Sequence, residues 1–279
     1  MPSLAANGYG KRDVRLVKVT RRPGGSDLKQ VTVNIFLKGD FESCYRTGDN
    51  RRILPTDTMK NTVYALARHS ALDSIEEFAL ELLQHFLANN SQVEEGRIEM
   101  VETLWSRIGV DGRPHPAAFQ QAGPETRTTA VAGTREKISV TSGVDHLVLL
   151  KTADSAFTGF IRDRFTTLAE AEDRLLGTEI RAEWRYAGTR LPFNDLWQRV
   201  LDTLKATFAG HHSLSVQHTL FAIGQQALRS VAEIEEIDLR MPNKHCLLVD
   251  LSPFGLDNPN QVFVPVDEPY GFIEARVAR

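Results

Sequence analysis

The sequence predicts an α+β protein with antiparallel sheets, built from two related units in tandem. Three observations support this fold class: two alternating segments near the start are joined by a turn, two amphipathic helices follow them, and the second half repeats this order. The chain of 279 residues is long enough to bury a large core. We place the boundary near residue 138, so that the units span residues 1–138 and 139–279.

The first half is predicted to contain a strand pair, two helices and further strands. Apolar and polar side chains alternate in residues 13–19 and 31–37, and the Arg-Pro-Gly-Gly segment at 22–25 provides the turn. Residues 58–68 form the first helix, with Thr56 or Asp57 as its cap. Ser74 and Glu77 form a capping box before the second helix, whose apolar stripe runs to residue 87. Further strand-like segments lie at residues 97–108, 126–131 and 137–141.

The second half is predicted to repeat this pattern. Its strands lie at residues 147–151, 179–184, 234–239, 245–251, 262–265 and 271–277, with a short helix between the first two. Residues 194–208 and 215–231 are predicted helices with one apolar face each, and Ser213 or Ser215 caps the second of them. Units of this kind expose sheet edges, and pairing of edges between subunits into a closed barrel would cover them.

Charge and composition argue against several classes of function. The chain has 33 Lys and Arg against 36 Asp and Glu, a net charge of −3, and it has no long basic run, which disfavours nucleic acid and anionic membrane as partners. Cys44 and Cys246 are too few and too far apart for a disulfide framework or a Cys-x-x-Cys zinc spacing. There is no bilayer-length apolar run, no signal-peptide start, and Arg-Val-Ala-Arg stands where a peroxisomal Ser-Lys-Leu would be. We therefore expect a cytoplasmic protein of bacterial type.

Five motifs carry a resemblance to a known family. They are Tyr-Gly-Lys at residues 9–11 with Val14 and Arg15, Pro-Thr-Asp-Thr-Met-Lys-Asn-Thr at 55–62, Phe-Thr-Gly-Phe-Ile-Arg-Asp at 157–163 with Thr-Thr-Leu at 166–168 and Asp-Arg at 173–174, Ser-Val-Gln at 215–217, and Pro-Asn-Lys-His at 242–245. Their order and spacing resemble those of the urate oxidase (uricase) family from about Tyr9 to Ala275. The resemblance implies the tunnelling fold (T-fold), with two units per chain and a barrel-like homotetramer around a central tunnel. It also implies active sites that neighbouring subunits share.

The resemblance further implies a reaction and the residues that perform it. A urate oxidase converts urate, O2 and water to 5-hydroxyisourate and hydrogen peroxide in purine catabolism, and it uses no cofactor, neither metal nor flavin. The family's catalytic roles fall on a proton relay of Lys11 and Thr56, with His245 tuning or feeding it. Its substrate-binding roles fall on Thr56, Asp57, Phe157, Arg174, Val216, Gln217 and Asn243. In the family, the segment with Thr56 and Asp57 comes from the neighbouring subunit.

The residue types suit the substrate. Urate is a flat anion with an oxygen or an N–H at almost every edge position, so a planar cationic fork and an amide match its edges and an aromatic ring matches its face. By resemblance, Arg174 and Gln217 grip opposite edges of the purine while Phe157 stacks on its face. The N–H of Val216 reaches a urate atom from a helix N-terminus, where the dipole favours an anion. The amide of Asn243 holds oxygen or water above the purine plane.

Each of these residues, taken alone, also fits an ordinary structural role. The alternatives are a helix-surface Arg174 paired with Glu170, a core Phe157, a solvated Lys11, a structural His245, a turn residue at Asn243 and simple N-caps at the two helix starts. Two other functions also remain open. One is a zinc enzyme of the same fold that acts on pterins or GTP, for which the local histidine cluster is His211, His212 and His218. The other is a purine-binding or purely structural oligomer without activity.

Overall fold

The computed structural model describes residues 3–279. The strands in this range are β1 (Tyr9–Arg22), β2 (Gly25–Gly39), β3 (Val93–Val110), β4 (Arg113–Gly133), β5 (Ile138–Lys151), β6 (Leu176–Tyr186), β7 (Ile234–Arg240), β8 (Asn243–Leu248), β9 (Phe263–Gly271) and β10 (Glu274–Ala278). The helices are α1 (Glu42–Thr47), α2 (Thr56–His69), α3 (Ile75–Asn89), α4 (Phe193–Gly210) and α5 (Val216–Ser230), with a short 3-10 turn at Ser252–Phe254. Within residues 3–279, no helix is long and apolar enough to cross a membrane.

The chain divides into two compact units. The first consists of Met1–Gly143 with Trp184–Trp197, and the second of Val144–Glu183 with Gln198–Arg279. Strands β5 and β6 and helix α4 therefore each contribute residues to both units. The α+β class with antiparallel strand pairs is confirmed.

The first unit is a sheet in the order β1-β2-β3-β4-β5, with α2 and α3 packed against it. The predicted opening hairpin is confirmed, because Arg22 pairs with Gly25 and Gly24 takes a φ of 84° that favours glycine. One face of β2 is buried under the helices through alternate side chains, Val31, Val33, Ile35 and Leu37. Ser74 caps α3 as predicted, since its hydroxyl accepts a hydrogen bond from the Glu77 N–H at 3.2 Å, while the Glu77 carboxylate accepts from that hydroxyl at 3.0 Å.

A buried ion pair connects helix and sheet in this unit. Arg127 of β4 and Glu76 of α3 lie 2.6 Å apart with side chains 5% and 0% exposed. The Ser142 hydroxyl donates to the same carboxylate, and Arg127 donates to the Asn194 amide oxygen at 2.7 Å. The two buried charges of this cluster therefore have ion-pair and hydrogen-bond partners, which buried charges require.

The second unit contains strands in the order β5-β6-β7-β10, with β8 pairing with both β6 and β9. Helix α5 packs on β7 and β10. At Gly224, an added Cβ would lie 2.5 Å from a methyl group of Val277 of β10. Because glycine has no side chain, α5 can lie close to β10 at this position. Helix α5 begins at one of the predicted substrate-binding segments.

Two secondary-structure predictions are wrong. Residues 137–141 and 147–151, predicted as two strands, belong to the single strand β5, which passes through His146 at a φ of 58° without ending. The short helix predicted between residues 151 and 179 does not form: residues 152–175, all of which the structure describes, contain turns and isolated bridges but no helix. Backbone groups of this segment bond instead to one another, between Phe157 and Ala171, and to Ser213 outside it.

Candidate active site

Lys11 lies on β1 at a break in the strand. Lys11 pairs with Ile35 of β2, and the register then shifts before Val14. The shift is a bulge at Asp13, which has a φ of 57° and donates its N–H to the Asn34 side chain at 2.8 Å. A bulge bends a strand and changes the direction in which neighbouring side chains point. Lys11 is half-buried at this position.

Thr56 and Asp57 begin helix α2, but neither caps it, so that prediction is wrong. Pro55 is the N-cap residue, with extended backbone and no side-chain cap, and Thr56 is the first helical residue. The reason is local, because the fixed φ of Pro55 already sets the extended conformation that a cap requires. The first helical hydrogen bond runs from the Met59 N–H to the Pro55 carbonyl, so the backbone N–H groups of residues 56–58 have no acceptor within the helix.

The Asp57 carboxylate lies in a positive environment. It accepts hydrogen bonds from Lys60 at 2.5 Å and from Asn61 at 2.9 Å. The Lys60 ammonium is the main reason why the pKa of Asp57 is below its usual value, and the charge of Lys11 adds to this effect. The strand that carries Lys11 and the helix start that carries Thr56 and Asp57 therefore face one another within the first unit.

Tyr9 connects these two segments, and the sequence analysis assigned it no role. Its hydroxyl donates to the Leu54 carbonyl at 3.0 Å and accepts from the Leu54 N–H at 2.8 Å. Its ring packs edge-on against Phe41 at 4.8 Å, and burial raises the pKa of the Tyr9 phenol. Tyr9 precedes Lys11 by two residues and Leu54 precedes Thr56 by two. The only indication in the sequence that Tyr9 belongs to the site was its position in the Tyr-Gly-Lys motif at residues 9–11.

Phe157 is held by backbone hydrogen bonds in an irregular segment of the second unit. Its N–H donates to the Ala171 carbonyl at 2.7 Å, and the Ala171 N–H donates back at 3.1 Å. The next residue before it, Ala156, donates to the Ser213 carbonyl at 2.7 Å. Phe157 is only partly buried, with Phe160 stacked on it at 4.9 Å and an interplanar angle of 14°. The alternative of a core phenylalanine therefore does not hold.

Arg174 places its guanidinium over the same ring. Its central carbon lies 5.1 Å from the centroid of Phe157, and burial lowers the pKa of the guanidinium. Its Nε atom is buried without a hydrogen-bond partner among residues 3–279. The alternative of a helical ion pair with Glu170 is wrong, because residue 174 lies outside any helix and the Glu170 carboxylate accepts from the Gly159 N–H instead. A buried N–H on a cationic fork is a donor available to an anion.

The N-terminus of α5 lies on the other side of this segment. Ser215 is its cap, as one of the two predicted alternatives, and its hydroxyl accepts from the His218 N–H at 3.1 Å. The first bond between backbone groups runs from Thr219 to Ser215, so the N–H groups of Val216 and Gln217 have no acceptor within the helix. Since the Ser213 carbonyl accepts from the Ala156 N–H, the backbone joins this helix start to the irregular segment that carries Phe157.

Asn243 and His245 lie on β8, which is attached to β6 by a short pairing. Thr178 pairs with Asn243 and Gly177 with Lys244. An ion pair of 2.6 Å between Lys244 and Glu179 reinforces this contact, and it lowers the pKa of the Glu179 carboxyl. The pairing of β8 with β9 shifts register between Asn243 and His245, so β8 is irregular where it carries these two residues.

The predicted site residues thus fall into two groups, each within one unit. The first unit holds Lys11, Thr56 and Asp57, and the second holds Phe157, Arg174, Val216, Gln217, Asn243 and His245. Of the histidines considered for zinc, the rings of His211 and His218 lie 4.4 Å apart, and burial is the largest cause that lowers the pKa of His211. In the described part of the chain, no group of three or more His, Cys, Asp or Glu side chains is arranged to hold a metal ion.

Comparison with known proteins identifies the family. The sequence model of the Uricase family matches residues 7–132 and 140–274. The chain is 41% identical over 276 residues to the uricase of Arthrobacter globiformis, covering 99% of this chain and 90% of that protein. It is 37% identical over 278 residues to the uricase of Danio rerio, covering 98% and 93% of the two chains. The crystal structure of uricase from Arthrobacter globiformis matches with a TM-score of 0.95 at 41% identity, over 100% of this chain and 96% of that one. The chain belongs to the uricase family.

Proposed function

We propose that this chain is a urate oxidase that converts urate, O2 and water to 5-hydroxyisourate and hydrogen peroxide. The observation that carries the proposal is the Arg174 guanidinium, which lies over the Phe157 ring with its buried Nε free. Membership of the uricase family and this combination of a cationic hydrogen-bond donor with an aromatic ring point to the same substrate. A cytoplasmic site of action is part of the proposal, in keeping with the bacterial relative at 41% identity.

Substrate binding is proposed for the groups of the second unit. Arg174 donates to one edge of the urate anion and the Gln217 amide pairs with the opposite edge, while Phe157 stacks on the ring. The free N–H of Val216 donates to a urate oxygen or nitrogen at the positive end of α5. Asn243, on the neighbouring strand β8, holds oxygen or water above the purine plane.

The proton transfer is proposed for Lys11 and Thr56. Thr56 is the first residue of α2, so its hydroxyl is not used as the helix cap. It can therefore pass a proton from urate to the Lys11 amine, while Asp57 contributes the next backbone N–H to the substrate. His245 tunes or feeds this relay. A relay of this kind requires hydrogen-bond distances between successive groups in the substrate complex.

The electrons come from the substrate itself. Urate that has lost a further proton passes two electrons to O2, and a peroxide adduct forms at the purine ring. The carbon–oxygen bond of the adduct then breaks, the peroxide group takes up protons and leaves as hydrogen peroxide, and water adds to the ring as the hydroxyl group of 5-hydroxyisourate, so that atoms and electrons balance. The proposed reaction uses no metal and no flavin.

We also propose that the chain consists of two T-fold units, 1–138 and 139–279, and forms a homotetramer whose active sites are shared. In support, each half begins with two strands, continues with helices and ends with further strands, and β5 begins at residue 138. The two groups of site residues lie in different units, as a shared site would use them. Exposed apolar side chains around the β8–β9 hairpin offer a surface for association, among them Leu247, Leu248, Phe254, Leu256 and Val264.

Mixed assemblies test the shared site. Thr56→Ala and Arg174→Ala each disable one group of residues, so each variant alone should have little activity. If one site takes its two groups from different subunits, co-refolded mixtures should regain activity in roughly a quarter of the sites by random pairing. Mixtures that stay as inactive as the separate variants, although mass spectrometry shows mixed tetramers, would contradict sharing. A monomeric parent protein would contradict it too.

A further inference from the structure

Tyr9 holds the two segments of the proposed relay at a fixed spacing. Its hydroxyl makes two hydrogen bonds to the backbone of a single residue, Leu54, at 2.8 and 3.0 Å. The two residues are 45 positions apart in the chain, so these bonds are tertiary contacts and not part of a turn. Because one hydroxyl both donates and accepts, it fixes the direction of the Leu54 peptide as well as its distance.

Both ends of this contact are rigidly connected to a relay residue. On one side, Gly10 separates Tyr9 from Lys11, and an added Cβ there would lie 1.8 Å from the Ile35 carbonyl oxygen. The strand backbone therefore lies against β2 with no room for displacement. On the other side, Pro55 separates Leu54 from Thr56, and its ring fixes φ at the start of the helix.

We propose that Tyr9 is a positioning residue for the reaction: through Leu54 it sets the separation between the Lys11 amine and the Thr56 hydroxyl. This role rests on the proposed function. We assign Tyr9 no contact with urate or oxygen. Its ring is held separately by the edge-on contact with Phe41. Loss of the hydroxyl should therefore leave the fold in place while the start of α2 gains freedom relative to β1.

The test compares Tyr9→Phe with Tyr45→Phe. Tyr45 is a matched control, because its hydroxyl donates to the Gly8 carbonyl at 3.1 Å, one residue from Tyr9, but does not contact Leu54. A small displacement of reacting groups can cost a large factor in rate, so we expect kcat of Tyr9→Phe to fall by about tenfold or more. The KM for urate should change by less than about twofold, because Arg174, Phe157 and Gln217 are untouched. Tyr45→Phe should keep both values.

Two further measurements distinguish a positioning role of Tyr9 from a general loss of stability. Amide hydrogen exchange of Leu54 should speed up in Tyr9→Phe and not in Tyr45→Phe, while the thermal midpoints of the two variants stay close. Unchanged kcat in Tyr9→Phe, a rise in KM without a fall in kcat, or an equal loss of kcat in Tyr45→Phe would overturn the positioning role. A parent protein that leaves urate unchanged in the same assay would overturn the proposed function itself, and the role of Tyr9 with it.

Discussion

Replacing Arg174 tests the proposed urate clamp quantitatively. Its guanidinium lies 5.1 Å from the centroid of Phe157 and keeps a buried N–H free, so it can offer two parallel hydrogen bonds to an anion. Hydrogen bonds to charged groups contribute about 1.5–3 kcal/mol each, and the lower value suits a half-buried side chain. Two such bonds amount to about 3 kcal/mol, so Arg174→Ala should weaken urate binding by about two orders of magnitude. Arg174→Lys keeps the charge without the fork and should recover only part of this loss.

The assay is calorimetric titration with urate under argon, where binding proceeds and oxidation does not. Arg162→Ala is the matched control, because Arg162 lies 5.5 Å from the neighbouring Phe160 ring in the same segment but is exposed. It should change urate affinity by less than about twofold. The reasoning is refuted if Arg174→Ala binds urate as the parent does, or if Arg162→Ala loses as much affinity.

Three further predictions concern catalysis and stability. Lys11→Ala and Thr56→Ala should each lose most of the turnover while binding urate with nearly parental affinity; equal loss of binding, measured by titration under argon, would contradict the division of roles. Burial raises the pKa of Tyr186 to about 12, from 10.0. Because the folded state holds this proton more tightly, the contribution of Tyr186 to stability should be constant below about pH 10 and fall by about 2–3 kcal/mol between pH 10 and 12. Urea unfolding should show this fall in the parent and not in Tyr186→Phe. Glu76→Gln leaves the Arg127 charge unpaired and should lower the free energy of unfolding by about 3 kcal/mol; a change below 0.5 kcal/mol would show that the pair is not effectively buried.

Local signals in the sequence predicted the elements whose causes are local. The Ser74 capping box, the Ser215 cap and the opening hairpin were predicted because a few adjacent residues determine each of them. Thr56 and Asp57 were wrongly predicted as possible caps because both residue types favour the N-cap position and they directly follow Pro55. Only the conformation of Pro55, with a ψ of 138°, settles which residue precedes the helix.

Features that depend on distant partners could not be predicted in this way. The short helix predicted between residues 151 and 179 is replaced by backbone bonds from Phe157 to Ala171 and from Ala156 to Ser213, and no periodicity encodes such pairings. The Leu54 partner of Tyr9 is 45 residues away, and the Glu76 partner of Arg127 is 51 away. The site residues themselves came from resemblance to a family, and their roles stay predictions until the variants are measured.

The most direct test of the central claim is a paired measurement on purified protein with a chelator present. Urate absorbance and dissolved oxygen are followed in the same sample, and hydrogen peroxide is measured at the end. We expect one O2 to be consumed and one hydrogen peroxide to be formed for each urate lost, at a rate that the chelator does not change. Urate that persists in air, or urate loss without matching oxygen uptake, would contradict it.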